Sequence, residues 1–425
     1  MGSARGRRPW LAWVLLGLWT LLIFASIPTM RALQRWVVAH LGSTAFGYTV
    51  VIAILAALAG ALALGRRTRR QLNLPTVILL VAIAAISLWW TNRLWGAPEE
   101  AVHFIEYGAL GVLAWRALRQ HVPDASAHLA AALLTTLVGT ADEIVQWVTP
   151  DRFWDLRDVG LNAGVSGLVQ LALWKVVPPA SQAVQASSLR LSARLAAAEL
   201  CLLTLCLANT PARVERYAAR FPALARLNTN NEAMAEYGHL CRDSAIGRFK
   251  SRLTPATLGR LDERRAIEMA AILDQYPMAR YGEFLARIMP QRDPFLYEVR
   301  VHLFSRDHNL GEARQQPPGS LARRQLATAA FRENTILERY FGRTLAASLY
   351  AWSEALRARV EALVIPDASF TSKVGAHLIT AFSEGTLRAL LVVAVLGLLA
   401  ASWPPGRRAS QTTPASGCTP SAAGR

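Results

Sequence analysis

The sequence predicts an all-α protein. It is read as a polytopic helical membrane bundle of about eight transmembrane helices, with a mostly helical extracytoplasmic domain between the last two. Three observations predict this. Hydrophobic residues make up 53% of the 425-residue chain, and the mean hydropathy is +0.24. The apolar residues come in blocks that approach the roughly 20 residues a spanning helix needs. Basic residues cluster at the ends of those blocks, where topology-setting charge sits.

The first block, 10–27, follows Arg5, Arg7 and Arg8. It lacks a small-x-small cleavage site and is followed by further blocks, so it reads as a retained helix rather than a signal peptide. The segment 30–42 is short, carries Arg31, Arg35 and Trp36, and reads as interfacial. The second span is 46–64 and the third is 74–90, which ends in Trp89-Trp90 at an expected interface. The fourth is 101–118, with His103, Glu106 and Tyr107 in its first turns. The fifth, 127–148, and the sixth, 155–177, complete a membrane domain over 1–180. The seventh, 191–208, is interrupted by Arg194 and Glu199, and the eighth is 386–403.

Charge orients these spans. The basic N-terminus is expected in the cytoplasm, and alternation puts 66–70, 116–119, 175–194 and Arg407-Arg408 on the same side. The loops near 29–43, 92–100 and 149–154, and the segment 209–385, then face outward. That segment mixes polar and apolar residues, with helical periodicity in 258–273, 281–288 and 321–363. Within it, 295–304 (FLYEVRVHLF) alternates and reads as a strand or buried turn, and 315–319 (QQPPG) as a break. The tail 404–425 is rich in Ser, Thr, Pro and Ala and reads as a disordered cytoplasmic tail.

Composition also excludes some classes. The net charge of +17 invites a nucleic-acid reading, but no motif with a groove-docking geometry accompanies it. Cys201, Cys206, Cys241 and Cys418 form neither a disulfide framework nor a cysteine zinc site by spacing. No Gly/Pro-broken helix pair recurs in matching halves, which argues against a transporter.

The membrane half has few acids, and Glu99, Glu100, Glu106, Asp142, Glu143, Asp151, Asp155 and Asp158 all fall toward the predicted outer face. A charge near the bilayer centre costs about 3 kcal/mol or more, so such residues are held or used. His103 shares a helix face with Glu106 and Tyr107, and Asp142 and Glu143 share one with Gln146. Asp155, Asp158, Asn162 and Ser166 follow at steps of three, four and four, forming one stripe. The cheapest arrangement brings the three polar faces together in a bundle interior or an outward-open pocket. Carboxylates beside a histidine suit acid–base work or cation binding. Arg152 and Arg157 suit a phosphate or carboxylate of a ligand. The structural alternative has the arginines neutralising Asp155 and Asp158 and Asn162 bonding across helices. That alternative is preferred for Glu99, Glu100 and Asp151. The pocket reading is preferred for Glu106, Asp142, Glu143, Asp158 and Asn162.

Four motifs in order resemble the VanZ-like membrane family over about residues 10–178. They are His103-Phe104-Ile105-Glu106-Tyr107, Asp142-Glu143-Ile144-Val145-Gln146, Pro150-Asp151-Arg152, and Asp158-Val159-Gly160-Leu161-Asn162 with Gly164 and Gly167. Two departures stand out. The family's lysine before the histidine is replaced by the Glu99, Glu100 and Val102 region, and Val165 stands where its later glycine falls. The resemblance implies a bacterial cytoplasmic membrane with the polar site toward the cell wall. It also implies a link to low-level resistance to the glycopeptide teicoplanin. It names no reaction, cofactor or metal, and does not reach 209–385.

Two functional readings follow. In the first, the acidic pocket binds or modifies an envelope lipid, a glycolipid or an amphiphilic antibiotic. Arg152 orients the ligand, Asp142, Glu143 and Asp158 supply charge or proton transfer, and Tyr107, Gln146, Asp155 and Asn162 line the site. In the second, the membrane half is an anchor, and 209–385 binds an envelope-assembly or polysaccharide-machinery protein.

Overall fold

The computed structural model describes residues 9–42, 44–67, 72–95, 100–150, 152–177, 179, 181, 183–227, 233–366 and 368–403. Arg5, Arg7, Arg8, Arg69, Arg70, Glu99, Asp151, Arg407, Arg408, Cys418 and the 404–425 tail lie outside the described residues.

The membrane half is built from α1 (Pro9–Leu41), α2 (Ala45–Arg67), α3 (Leu74–Arg93), α4 (His103–Leu118), α5 (Ser126–Trp147), α6 (Leu156–Val176) and α7 (Ala186–Leu207). Local signals start several of them. Asn73 accepts the Thr76 amide ahead of α3, with Pro75 in the first turn, and Asp155 accepts the Arg157 amide ahead of α6. Helices α4, α5 and α6 pack on one another, around Tyr107, Leu110, Ala114, Ala130, Ala131, Leu161 and Val165. Helix α1 lies along α4 and α5, α2 and α3 flank α6, and α7 covers α5. The last helix, α15 (Glu384–Ala401), packs on α7 and buries no residue of its own, as expected of a helix facing lipid.

Among the described residues, six helices are long and apolar enough to cross a membrane: α1, α2, α3, α5, α6 and α15. A seventh is counted if α7 is taken with the short helix after its 81° bend. The expected fourth span, α4, has 16 residues and so covers about 24 Å, less than the roughly 30 Å hydrocarbon core. It sits inside the bundle, where neighbouring helices rather than lipid surround it. The molecule is an all-α multi-pass membrane protein.

The interfacial segment expected at 30–42 is not separate. Helix α1 runs unbroken through Pro28 for 33 residues, about 50 Å. It therefore overhangs the bilayer core by several turns, and the overhang carries Arg31 and Gln34.

Beyond α7 come α8 (Pro211–Arg220), strands β1 (His239–Asp243) and β2 (Gly247–Ser251), α9 (Pro255–Asp274), α10 (Tyr281–Arg287), α11 (Pro294–Gln315), α12 (Leu321–Tyr340), α13 (Gly342–Ala347), α14 (Glu354–Glu361) and α15 (Glu384–Ala401). The two strands form an antiparallel hairpin that pairs His239 with Ser251 and Asp243 with Gly247. Gly247 is at φ 115, and a Cβ there would meet the Phe370 carbonyl oxygen at 2.3 Å, so glycine is required. The strand or turn read at 295–304 is instead the start of α11. Asp293 accepts the Leu296 amide and Pro294 takes the first position. Phe295, Leu296, Val299, Arg300, His302 and Leu303 are all buried, so no single apolar stripe marks the helix. The stretch 321–363 divides into α12, α13 and α14, and the QQPPG break separates α11 from α12, with Gly319 at φ 78.

This domain meets the membrane half at one end. Trp147 and Tyr217 pack edge to face at 6.3 Å, Val214 and Leu227 bury against Trp147, and Arg226 donates to the Val148 carbonyl. The contact falls on the α5–α6 turn. That is also the end where α1 overhangs and α4 begins.

Candidate functional site

Three helices deliver the polar residues. His103 and Glu106 are in the first turn of α4, with Tyr107 just after. Asp142, Glu143 and Gln146 are in the last two turns of α5. Asp158 and Asn162 are in the first two turns of α6. Because α4 and α6 start at the end where α5 finishes, these turns face one another. His103, Asp142, Glu143, Gln146 and Asn162 are all buried, the last fully.

The cluster is wired through Asp142 and Gln146. Tyr107 donates to Asp142 Oδ2 at 2.8 Å, and its ring stacks on His103 with centroids 5.6 Å apart. Gln146 Nε2 donates to Glu143 Oε1 at 2.9 Å and to Asp142 Oδ2 at 3.2 Å. Arg152 donates to Gln146 Oε1, and the Asp155 amide reaches Glu143 Oε2 at 3.3 Å. Burial, and then the nearby Arg31 guanidinium, lower the pKa of Arg152 from its ordinary value, while Glu143, Asp142 and Asp158 oppose that shift. Two guanidinium groups thus stand beside a group of carboxylates.

Several polar atoms here have no partner. His103 Nδ1, Asp142 Oδ1, Arg152 Nε, Ser166 Oγ and both amide atoms of Asn162 are buried without a hydrogen bond. Each such group calls for an explanation, such as a water, an ion or a catalytic role. His103, Glu143 and Asp158 each bring one ligand-capable atom within 4.8 Å of the others. Among the described residues, these three are placed to hold a metal.

The cluster opens into a cleft of about 110 Å³. His103, Glu106, Asp142, Gln146, Arg152, Asp155 and Asp158 line it, and so do residues of α1. Of the sequence-predicted residues, Tyr107, Glu143 and Asn162 lie behind this lining as its support. Asp155 reaches the rim, but its carboxylate is held by Arg157 at 2.6 Å, so the neutralising role foreseen for Arg157 applies to that pair. Glu100, read as a solvated acid, also lines the cleft.

The structure adds residues that sequence reasoning missed. Ser26, Met30, Arg31 and Gln34 of α1 form one wall of the cleft. Their steps of four, one and three place them on one helical face, a signal available only once α1 is known to continue past Ile27. Gly139 on α5 is pressed against the site: a Cβ there would meet Asn162 Cβ at 2.9 Å and Tyr107 Cε1 at 3.2 Å. Glu199, which interrupts α7 in the sequence, accepts the Thr140 hydroxyl at 2.7 Å and ties α7 to α5 just below the cluster. Asp124, the remaining acid of the region, is at the opposite end, where it accepts the Ser126 and Gln185 amides.

Fold and site together define a class: a multi-pass helical membrane protein with a histidine–carboxylate–arginine cluster closed by four helices. Residues 12–177 match the family model VanZ/LLP1, so this part of the chain is similar to VanZ-like membrane proteins. The match ends with α6, so α7, the following domain and α15 lie outside it. No curated protein and no solved structure matches the chain.

Proposed function

We propose that the cleft binds the polar head of an anionic envelope lipid or glycolipid, with Arg31 and Arg152 on the negative head group and the apolar chain lying between α1, α4 and α5. One observation carries this reading. A second groove, of about 410 Å³ and lined almost wholly by apolar side chains, is built from the same three helices. It takes Trp13, Leu16 and Leu21 from α1, Leu110 and Ala114 from α4, and Leu134 and Val138 from α5. Leu110 and Val138 each lie four residues from cleft residues, Glu106 and Asp142 respectively, which is about 6 Å along a helix. A polar cavity with an apolar groove one helical turn away on the same helices suits an amphiphile. In this reading Asp142 and Asp158 contact polar groups of the head or move protons there, with Glu143 supplying charge from behind them. An amphiphilic glycopeptide such as teicoplanin fits the same description and ties the site to the family's envelope association.

Sidedness belongs to the same proposal. The end of the bundle away from the cleft carries Arg66, Arg67, Arg116, Arg119, Lys175, Arg190 and Arg194. By the positive-inside rule that end is cytoplasmic. The cleft and the 209–385 domain then face outward from a bacterial inner membrane, with both termini inside.

The test uses the full chain in nanodiscs with phosphatidylglycerol or phosphatidylcholine, and bound lipid is counted by native mass spectrometry. The expected result is preference for the anionic lipid. Preference falls about tenfold in the Arg31→Ala/Arg152→Ala double variant, as for loss of charge-assisted contacts. Occupancy falls when Gly17→Trp fills the groove. Unchanged preference and occupancy in both variants refute the reading. In cells, Asp142→Asn, Glu143→Gln and Asp158→Asn are each expected to remove the glycopeptide phenotype at equal membrane abundance.

A second reading is favoured by the docking of Tyr217 and Arg226 on the α5–α6 turn, which places the domain beside the cleft. In it, 209–385 recruits an envelope-assembly protein. Deleting 212–380 while keeping α7 and α15 tests this, and full retained function rejects it.

A further inference from the structure

We infer that His103, Glu143 and Asp158 form a site for one divalent metal ion of the zinc or manganese class, set into the floor of the cleft. The inference rests on the head-group reading only for what the ion touches, since the site itself is assembled whether or not a lipid binds.

The donors come from three helices, and their ligand atoms lie within 4.8 Å of one another. Zinc bonds of 2.0–2.2 Å require those atoms to close by about 1 Å, which is within the range of small side-chain rotations. One imidazole with two carboxylates is a mixed nitrogen–oxygen set. It suits zinc or manganese better than calcium, which takes oxygen ligands, or a thiolate-seeking ion.

Independent observations point to a ligand here. His103 is 8% exposed, its Nδ1 accepts and donates no hydrogen bond, and the nearest carboxylate oxygen, on Glu106, is 3.9 Å away. The amide of Asn162, fully buried one turn beyond Asp158, has neither atom satisfied. Glu143, by contrast, is held at both oxygens, by Gln146 and by the Asp155 amide. That outer support is what a ligating carboxylate needs in order to point at an ion. Charge agrees in sign: Glu100, Glu106, Asp142 and Asp158 line the cleft against Arg31 and Arg152, so carboxylates outnumber guanidinium groups there.

The experiment takes the full chain in detergent, strips it with EDTA and titrates it with ZnCl₂ and, separately, MnCl₂. Bound metal is measured by mass spectrometry after desalting. The expected result is about one equivalent with a rise in Tm, as for any ligand that binds only the folded state. His103→Ala, Glu143→Gln and Asp158→Asn each weaken binding by at least about tenfold. His121→Ala, at an exposed histidine on the opposite end, leaves it unchanged. Asp158→Asn is isosteric, so a variant that keeps its elution profile and its metal-free Tm but loses the metal-induced rise separates ligation from folding. Folded wild type that binds well under one equivalent overturns the inference. So does stoichiometric binding that survives in all three variants. Metal binding without lipid preference supports the ion and overturns the head-group reading; lipid preference without metal does the reverse.

Discussion

Gly139 offers the sharpest test of how the polar cluster is packed. Replacing it by alanine has two opposed effects. An alanine in a helix interior is favoured over glycine by roughly 1 kcal/mol. The new methyl would also stand 2.9 Å from Asn162 Cβ, 3.1 Å from Asn162 Nδ2 and 3.2 Å from Tyr107 Cε1. Those neighbours are backed by α6 and α4 and cannot swing away, so overpacking costs about 1–3 kcal/mol. Gly160 on α6 isolates the second effect, because a Cβ there meets nothing within 4 Å. Gly160→Ala gains the helix preference alone. The difference between the two variants is therefore the clash, about 1–3 kcal/mol. At roughly 2–4 °C per kcal/mol for a domain of this size, Gly139→Ala unfolds about 2–12 °C below Gly160→Ala in a thermal scan of the detergent-solubilised chain. A Gly139→Ala protein as stable as Gly160→Ala would show that Asn162 and Tyr107 are not packed on α5 as described, and the cluster geometry would fall with them.

Two further predictions concern the domain between α7 and α15. Glu236 is 9% exposed and pairs with Arg252 at 2.6 Å. Burial alone would raise its pKa, but the His377 imidazole 3.8 Å away and the Arg252 charge outweigh that and hold it below the ordinary 4.5. A carboxylate depressed on folding stabilises above its unfolded pKa, and the contribution is lost as pH falls through the folded one. Glu236→Gln is thus expected to cost about 3 kcal/mol at pH 7, with Arg252 retaining Glu298 at 3.6 Å. The gap to wild type should close as pH drops below 4.5; a gap constant between neutral and acid pH in thermal scans contradicts it. Asp262 accepts the Arg343 and Thr344 amides at 2.9 Å each and the Thr344 hydroxyl at 2.6 Å. Asp262→Ala should cost about 2–3 kcal/mol, read as a lowered midpoint in denaturant, whereas a midpoint at the wild-type value would remove the cap from the account.

What could be read from the chain divides along physical lines. His103, Glu106, Asp142, Glu143, Asp158 and Asn162 stood out because polar groups are scarce inside apolar blocks, and helical spacing put them on facing stripes. The structure does gather them at one end of three helices. Arg31 and Gln34 are not legible as cleft residues, because the count of apolar residues stops at Ile27. Once a helix leaves the bilayer, nothing requires its residues to stay apolar, and only hydrogen-bond continuity through Pro28 reveals that it goes on. The same reasoning explains α4, where a block that looked long enough by composition is a shorter helix enclosed by its neighbours. In 295–304 the failure is of a different kind. A helix buried on nearly every side, with Arg300 ringed by Tyr281, Phe284 and Tyr350, offers no periodic contrast between a wet and a dry face. The β1–β2 hairpin depended on Gly247 and on a backbone neighbour, Phe370, more than a hundred residues later, which no local pattern announces.

The overhang of α1 also has a consequence for biogenesis. The walls of the cleft are drawn from residues 23–34, 100–106 and 142–158, so more than a hundred residues of chain separate the first wall from the last. During synthesis α1 leaves the ribosome well before α5 and α6 exist. Its arginine-bearing turns must wait in the aqueous layer beside the membrane until the α5–α6 hairpin inserts. Only then do the acids of α5 and α6, which already have Arg152 on their own turn, acquire Arg31 as well. The cleft is therefore completed by closure of the first helix over a pair made more than a hundred residues later. Deleting 28–41 would strip Met30, Arg31 and Gln34 from that wall and leave it only Ile23, Ser26 and Ile27.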